Sequence, residues 1–365
     1  MKRLLSFAAI GLMAAGAWGA PVQAEELAQA KGFDAEKYFA GKNIRVIVGF
    51  TAGGGTDIQA RHFAAHWGEY IPGKPRFTVT NVTPSTTASN RLYGSDPDGL
   101  TLEMTAGSNV TSQFMEAQAK FKVEELRMIG THTGSSSVMF ARKGWPHKTI
   151  ADAIGTKEVM RIGFRGPTDA YAMRLAALSK WLGIPMKFIP GLSGTTDNLI
   201  ALERNDIDGY LAGGGGTVWF SLPTIRPGWL KDGTVRAYAL MGPADLTVGA
   251  NKELGEPQAP LASSLIKDPE QKRLYEILAN ADTRYGKVWM APPKTPDHVI
   301  EVLRKSYEAV LADKAFRAKL EELMGEPVQY THGAEVEKQL KVMAKGFAEN
   351  VGKFKEWVTW VEERS

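Results

Sequence analysis

The chain has 365 residues, a formal net charge of +4 and no cysteine. Without cysteine the protein has no disulfides, no thiolate catalysis and no cysteine-ligated metal. The near balance of 44 basic and 40 acidic residues gives no reason to expect a nucleic acid or a membrane surface as partner.

The first residues predict export. Lys2 and Arg3 precede an apolar run over 4–18, and the small residues Val22 and Ala24 form a cleavage site for a signal peptidase. This pattern predicts a signal peptide over 1–24 that is cleaved after Ala24. The run is shorter than the roughly 20 apolar residues that span a bilayer, and a retained anchor is the alternative. We therefore expect a periplasmic protein.

The most informative pattern is an apolar strand over 44–48 that meets three consecutive glycines and then an amphipathic helix. Backbone N–H groups and the positive end of a helix dipole converge at such a junction, which predicts a cradle for an anion. The alternative is that the glycines only form a tight turn. The candidate ligand-binding residues of this turn are Phe50, Thr51, Ala52, Gly53, Gly54, Gly55, Thr56 and Asp57.

The turn does not fit a nucleotide. No lysine follows Gly55, as a phosphate-binding loop requires, and Ile58 stands where a dinucleotide fingerprint needs its third glycine. The next predicted strand, over 77–81, also ends without the acidic residue of that fingerprint.

The same unit recurs further along the chain. Strands over 160–164, 186–189 and 208–212 alternate with helices over 170–182 and 196–203, which predicts βαβ units and parallel sheets. Ligands bind at the carboxyl ends of such strands. The further candidate ligand-binding residues are Ser108, Asn109, Arg165, Gly166, Pro167, Thr168, Asp169, Tyr171, Ser193, Gly194, Thr195, Gly213 and Gly214.

The last third is predicted to be helical scaffold. One helix begins near Pro296, a second lies between Asp313 and Gly325, and a third covers 334–362. The proline-rich stretch over 243–269 is interpreted as a crossover between two lobes.

Catalytic patterns are incomplete. Phe63 stands between His62 and His66 where a zincin needs glutamate, and Ser193 lacks the Gly-x-Ser-x-Gly surroundings of a nucleophile elbow. The sequence therefore predicts a binding protein with no enzymatic activity, no cofactor and no metal.

An ordered set of segments carries a family resemblance: 42–48 leading into 52–57, then 98–102, 166–168, 191–195 with 206–209, 226–230, and 290–293 before 295–296. In these segments the chain resembles the extracytoplasmic solute receptors of tripartite tricarboxylate transporters, the Bug family. The resemblance implies an α/β, two-lobed periplasmic binding protein of type II, with a cleft between the lobes. It also implies a small carboxylate held by backbone N–H groups, hydroxyls and waters.

By this resemblance lobe 1 would comprise 42–139 plus 246–365 and lobe 2 would comprise 140–245, with hinges near Val138-Met139 and Met241-Gly242. The receptor would act as a monomer, capture its ligand by hinge closure and deliver it to membrane subunits of a secondary transporter. The alternatives are a periplasmic α/β enzyme, such as a hydrolase, and a stand-alone carboxylate sensor.

Two departures concern the site. Pro84-Ser85-Thr86-Thr87 stands where many members have Pro-Gly-Ala-Gly, and Arg165 stands where they have a small residue. Arg165 could grip a ligand carboxylate, form a structural ion pair or lie solvated on the surface. Tyr171, Trp219 and Phe220 follow turns expected at the crevice, which predicts an aromatic or rigid dicarboxylate in preference to citrate.

Overall fold

A computed structural model describes residues 32–132, 137–192, 194–212, 219, 222–223, 225–243, 259–324 and 327–365. The predicted signal peptide and the candidates Ser193, Gly213, Gly214 and Phe220 lie outside the described residues. No helix in these ranges is both long enough and apolar enough to cross a membrane.

The strands of the described chain are β1 Asn43–Val48, β2 Arg76–Asn81, β3 Thr101–Ala106, β4 Arg127–Thr131, β5 Val138–Arg142, β6 Met160–Gly163, β7 Met186–Ile189, β8 Gly209–Ala212, β9 Val235–Leu240, β10 Lys287–Ala291 and β11 Thr331–His332. Its α-helices are α1 Ala35–Phe39, α2 Gly55–His66, α3 Ser85–Tyr93, α4 Ser112–Met115, α5 Ala170–Leu182, α6 Thr195–Glu203, α7 Ala262–Leu265, α8 Pro269–Thr283, α9 Asp297–Ala312, α10 Lys314–Met324 and α11 Gly333–Glu362. Short 3-10 turns cover Trp67–Tyr70, Gly107–Thr111, Val123–Glu125 and Ile150–Ala153.

The strands form two sheets, with orders β11-β4-β10-β3-β1-β2 and β7-β6-β8-β5-β9. Strand β1 is parallel to β2 and β3, and β6 is parallel to β7 and β8. The βαβ units predicted over 160–212 are confirmed by these parallel pairs. Both sheets are nevertheless mixed, because β10 runs antiparallel to β3 and β4, β11 runs antiparallel to β4, and β5 runs antiparallel to β8 and β9.

Burial on both faces explains why β1 reads as a nearly continuous apolar run. Val46 and Val48 pack with Phe63 of α2 in one core cluster, whereas Ile47 packs on the opposite face with Leu92 of α3. The carboxyl end of β1 is thereby fixed between two layers of helix, and the glycine turn leaves the sheet from a rigid base.

Both predicted hinges lie at strand ends. Val138 and Met139, predicted to be a hinge, are the first residues of β5 and pair with Leu240 and Ala239 of β9. Met241, at the other predicted hinge, directly follows β9, and its N–H donates to the Ser137 carbonyl at 2.8 Å.

Helix α11 contacts both sheets, which the assignment of 246–365 to lobe 1 alone does not describe. Near its start, Glu337 accepts from the Met128 N–H of β4 at 2.9 Å. Near its end, Trp357 contacts Trp181 of α5 at a ring distance of 5.2 Å, and the Arg364 carbonyl accepts from Phe188 N–H of β7 at 2.8 Å. The predicted division into lobes otherwise stays a prediction.

Candidate ligand-binding site

The first candidate turn connects β1 to α2. Gly53 has φ +77°, a backbone conformation that only glycine adopts readily, and Gly54 is the extended N-cap of α2. The first N–H groups of a helix have no partner within it, and they carry the positive end of its dipole. Thr51, Ala52, Gly53 and Gly55 are exposed or nearly so, and this helix start opens to solvent.

The side chain of Asp57 stabilises that turn through hydrogen bonds. Its buried carboxylate accepts the Gly53 N–H at 2.8 Å, the Asn81 amide at 2.9 Å and Arg61 Nε at 3.1 Å. Burial raises the pKa of Asp57, but the hydrogen bonds from Arg61, Gly53 and Asn81 outweigh it and hold the pKa below its usual value. The Asp57 carboxylate is thus occupied by hydrogen bonds from the protein, and ligand contact by this residue stays a prediction.

Neighbouring side chains fix the same turn. Asn81, the last residue of β2, donates through its amide to the Phe50 carbonyl at 2.9 Å as well as to Asp57. Phe50 is half-buried and packs against the core of the first sheet. Thr56 is buried, which leaves the backbone over 51–55 as the accessible part of this turn.

The second candidate turn connects β6 to α5 and is closed in a similar way. Arg165 Nε lies 3.0 Å from Asp169 Oδ2, and Asp169 Oδ1 caps α5 by accepting the Tyr171 N–H at 3.0 Å. The Asp169 charge raises the pKa of Arg165 above its ordinary value. Of the three roles that the sequence left open for Arg165, the structure shows the ion pair.

Residues from three separate segments meet beside this pair. The side chain of Thr195, at the start of α6, lies beside the phenol of Tyr210 on β8. Burial raises the pKa of Tyr210, and the charges of Arg165 and Asp169 act on the same phenol. Gly166, Pro167, Thr168 and Tyr171, next to Arg165 and Asp169 in the chain, are half-buried, and Gly194 is exposed at the N-cap of α6.

Ser108 and Asn109 lie in the 3-10 turn after β3, which packs against α5 and thus lies at the junction of the two sheets. Both residues are buried, and the Asn109 amide donates to the Thr105 hydroxyl at 2.7 Å. The Asn109 amide therefore supports β3, and ligand contact by Ser108 and Asn109 stays a prediction.

Trp219 does not line a crevice. It is 1% exposed and packs in a core cluster with Phe140 of β5, at a ring distance of 6.0 Å. The predicted aromatic wall is wrong at this position, because the large apolar ring next to the turn is buried in the core. Tyr171 stays half-buried at the second turn, and Arg174 lies 5.2 Å from its ring centre.

Sequence reasoning missed the residues that hold the turns in place. Tyr210 lies inside β8, where the sequence gives no turn signal, and Asn81 at the end of β2 carries an amide instead of the carboxylate of a dinucleotide fingerprint. The spacing of Asp57 and Arg61, and of Arg165 and Asp169, at i and i+4 was a readable signal of ion pairs. Among the described residues no three histidine, aspartate or glutamate side chains are grouped to hold a metal.

Comparisons with known proteins identify one sequence relative and several structures of the same fold. No family model matches the sequence. The chain is 25% identical over 202 residues to a UPF0065 protein of Bordetella pertussis, a match that covers 53% of this chain and only 60% of that relative.

Three solved structures share the architecture over most of the chain. They are the periplasmic binding protein BugD (TM-score 0.62, 19% identity, 86% of this chain and 98% of the other), a TctC solute-binding protein from Polaromonas (0.60, 17%, 86% and 98%), and MatC from Rhodopseudomonas palustris with bound malate (0.57, 19%, 87% and 99%). At these identities the likeness shows the fold. The α/β periplasmic-binding-protein fold and the resemblance to Bug-type receptors expected from the sequence are confirmed, and the BugD and TctC neighbours are binding proteins rather than enzymes.

Proposed function

We propose that this chain, which shares the fold of the TctC and BugD binding proteins, is an exported receptor that captures a small dicarboxylate. In this proposal the ligand lies between the β1–α2 turn of the first sheet and the β6–α5 and β7–α6 turns of the second. The lobes close around it, and the monomeric receptor then presents it to membrane subunits of a secondary transporter.

The observation that carries the proposal is the pairing of both turn aspartates with arginines. Asp57 pairs with Arg61 at 3.0 Å and Asp169 with Arg165 at 3.0 Å, so neither aspartate presents an uncompensated charge to a ligand. The starts of α2, on the first sheet, and of α6, on the second, have no side-chain cap. The first N–H groups of each of these helices together are worth about half a positive charge. Two such helix starts suit one carboxylate each.

This arrangement favours two carboxylates over three. Holding citrate would need a further cation, and the arginines described at the two turns are already engaged by aspartate. The malate bound to the structural neighbour MatC is a dicarboxylate, which supports the same class.

The test is a ligand screen by thermal unfolding and calorimetry with succinate, malate, terephthalate, citrate and acetate. We expect a dicarboxylate at about 100 times its dissociation constant to stabilise the fold by roughly 2.7 kcal/mol. Stabilisation by citrate alone would refute the dicarboxylate assignment. Consumption of the ligand, followed by NMR, would favour the hydrolase alternative.

Two glycine variants locate the site. A side chain at Gly55 meets no atom within 4 Å, so Gly55→Val should fold and obstruct the exposed helix start. We expect at least about tenfold weaker binding, or about 1.4 kcal/mol. Gly94→Val, on the exposed C-cap of α3, is the matched control because its added Cβ meets its nearest atom only at 3.6 Å. Equal affinity in both variants would remove the first turn from the site.

A transport role is tested in cells. Deleting the gene should abolish uptake of the identified dicarboxylate and spare uptake of an unrelated solute. Uptake that is unchanged while a transcriptional response to the ligand disappears would indicate a sensor instead.

A further inference from the structure

The turns of the proposed site lie beyond the carboxyl ends of β1, β6 and β7, but a separate cavity lies beside β1, β2 and β3, next to the last turn of α3. It has a volume of about 100 Å³ and is lined by Arg45, Val46, Ile47, Thr80, Arg91, Ser95 and Thr101. Arg45 is three residues before the end of β1, or about 10 Å at 3.3 Å per residue, and the glycine turn begins beyond that end.

Two arginines share this small cavity. Arg45 extends from β1 and Arg91 from the last turn of α3, and both residues are exposed. Within the part of the chain that the structure describes, neither guanidinium forms an ion pair with a carboxylate. Like charges held in one concave place repel each other unless an anion lies between them.

The surrounding hydroxyls are placed to complete such a site. Arg45 Nη2 donates to Thr101 Oγ1 at 3.0 Å, so the guanidinium is anchored and the Thr101 hydroxyl keeps its own proton to donate. Thr80 adds a second hydroxyl from β2. The Ser95 hydroxyl already donates to the Arg91 carbonyl at 2.8 Å and stabilises the end of α3 instead.

We infer that this cavity is a second anion site, distinct from the dicarboxylate site, that binds a small tetrahedral oxyanion such as inorganic phosphate or sulfate. Two guanidinium groups and two hydroxyls offer more donors, from more directions, than the two oxygens of one carboxylate accept. The small volume excludes an organic ligand with a large body. Because the arginines are exposed, the affinity should be modest and should weaken with salt.

The test is calorimetric titration of the purified chain with sodium phosphate and sodium sulfate, at constant ionic strength adjusted with chloride. The variants are R45Q/R91Q, which removes both guanidinium groups, and R76Q, which neutralises one exposed arginine on β2 outside the cavity. We expect saturable binding with a dissociation constant on the order of 1 mM for the wild type. R45Q/R91Q should bind at least about fivefold more weakly, while R76Q should stay within about twofold.

A third variant separates this site from the crevice. Gly55→Val should leave the phosphate titration unchanged, because Gly55 lies in the other site. Loss of phosphate binding in Gly55→Val with retention in R45Q/R91Q would place the ion in the crevice and overturn the inference. Chloride reproducing the whole signal would overturn it as well, and a loss of stability in R45Q/R91Q without a change in binding would leave Arg45 and Arg91 as structural residues only.

Discussion

Two aspartates on different sheets hold their turns by the same arrangement of contacts. Asp57 binds the Gly53 N–H of the preceding turn and Arg61, and Asp169 binds the Tyr171 N–H at the start of α5 and Arg165. The charge of each aspartate is thus compensated within the protein. The described arginine and aspartate side chains at these two turns are therefore paired with each other.

Arg165 should therefore matter to the empty protein. We expect Arg165→Ala to lower the free energy of unfolding by about 1–3 kcal/mol without ligand, because the buried Asp169 carboxylate would lose its ion-pair partner. Denaturant unfolding with and without dicarboxylate measures this. The control is Arg76→Ala, because Arg76 is exposed on β2. Arg236→Ala would not serve, because Arg236 donates hydrogen bonds to four backbone carbonyls. A loss seen only with ligand present would show direct contact instead.

Glu103 on β3 should make stability depend on pH. Its side chain is fully buried, Ser89 donates to one oxygen at 3.0 Å, and the other oxygen has no partner among the described residues. Burial raises its pKa from 4.5 to about 8. Between these two pH values the folded state holds a proton on Glu103 that the unfolded state has released. The free energy of unfolding is therefore highest below pH 4.5 and falls as the pH rises through 8.

The variant Glu103→Gln should remove that dependence. We expect the wild type to lose stability on the order of a few kcal/mol between about pH 5 and pH 8, and Glu103→Gln to show a flatter profile over the same range. Glu36→Gln, on the exposed face of α1, is the control and should follow the wild type. Parallel profiles for all three proteins would contradict the assignment.

Among the elements, α11 is the one that ties the two sheets together. Between its contacts to β4 and to α5 lies Gly352, in an exposed helical position where an added Cβ would meet no atom within 4 Å. Glycine in a helix interior costs about 1 kcal/mol relative to alanine. A residue that weakens the helix at this point makes it easier to bend there.

We expect Gly352→Ala to raise the free energy of unfolding by about 0.5–1 kcal/mol, as measured in urea. Gly183→Ala is the contrasting control: Gly183 is the C-cap of α5 with φ +64°, and alanine should be destabilising there. If bending of α11 accompanies closure, Gly352→Ala should also weaken ligand binding. Stabilisation without a change in affinity would show that α11 stays straight.

Elements set by local pattern were predictable, and elements set by distant contacts were not. Periodicity and the Asp169 cap locate α5, and the apolar run locates β1, because these signals lie within a few neighbouring residues. The insertion of β10 between β3 and β4 and the passage of α11 to the second sheet depend on segments far apart in the chain. For the same reason the glycine turns of the site were predictable, whereas Tyr210 and the burial of Trp219 were not.

At the scale of the whole molecule, the two sheets share one apolar core. A single cluster contains Ile47 and Met290 of the first sheet and Ile162 and Leu211 of the second, joined through residues of α5, α8 and α11. Cooperative unfolding follows from such continuity, because exposing one part of the core uncovers the other.

We accordingly expect one unfolding transition in calorimetry, with the calorimetric enthalpy equal to the van't Hoff enthalpy. A variant in the shared region, Trp357→Ala, should lower the midpoint of the whole transition, with a loss of about 3–5 kcal/mol. Val342→Ala, at a position on α11 that is 71% exposed, should have little effect. Two resolved transitions, with only one shifted by Trp357→Ala, would show that the lobes unfold independently.

The attachment of α11 at both ends has a mechanical consequence. Its 30 residues form a rod about 45 Å long, and its two ends are fastened to different sheets. In a receptor that closes, rotation of one sheet against the other would bend α11, and the strain in the helix would rise with the angle of closure. If the proposed closure occurs, the ligand would hold the molecule shut against an elastic restoring force, and that force would reopen the crevice once the ligand leaves.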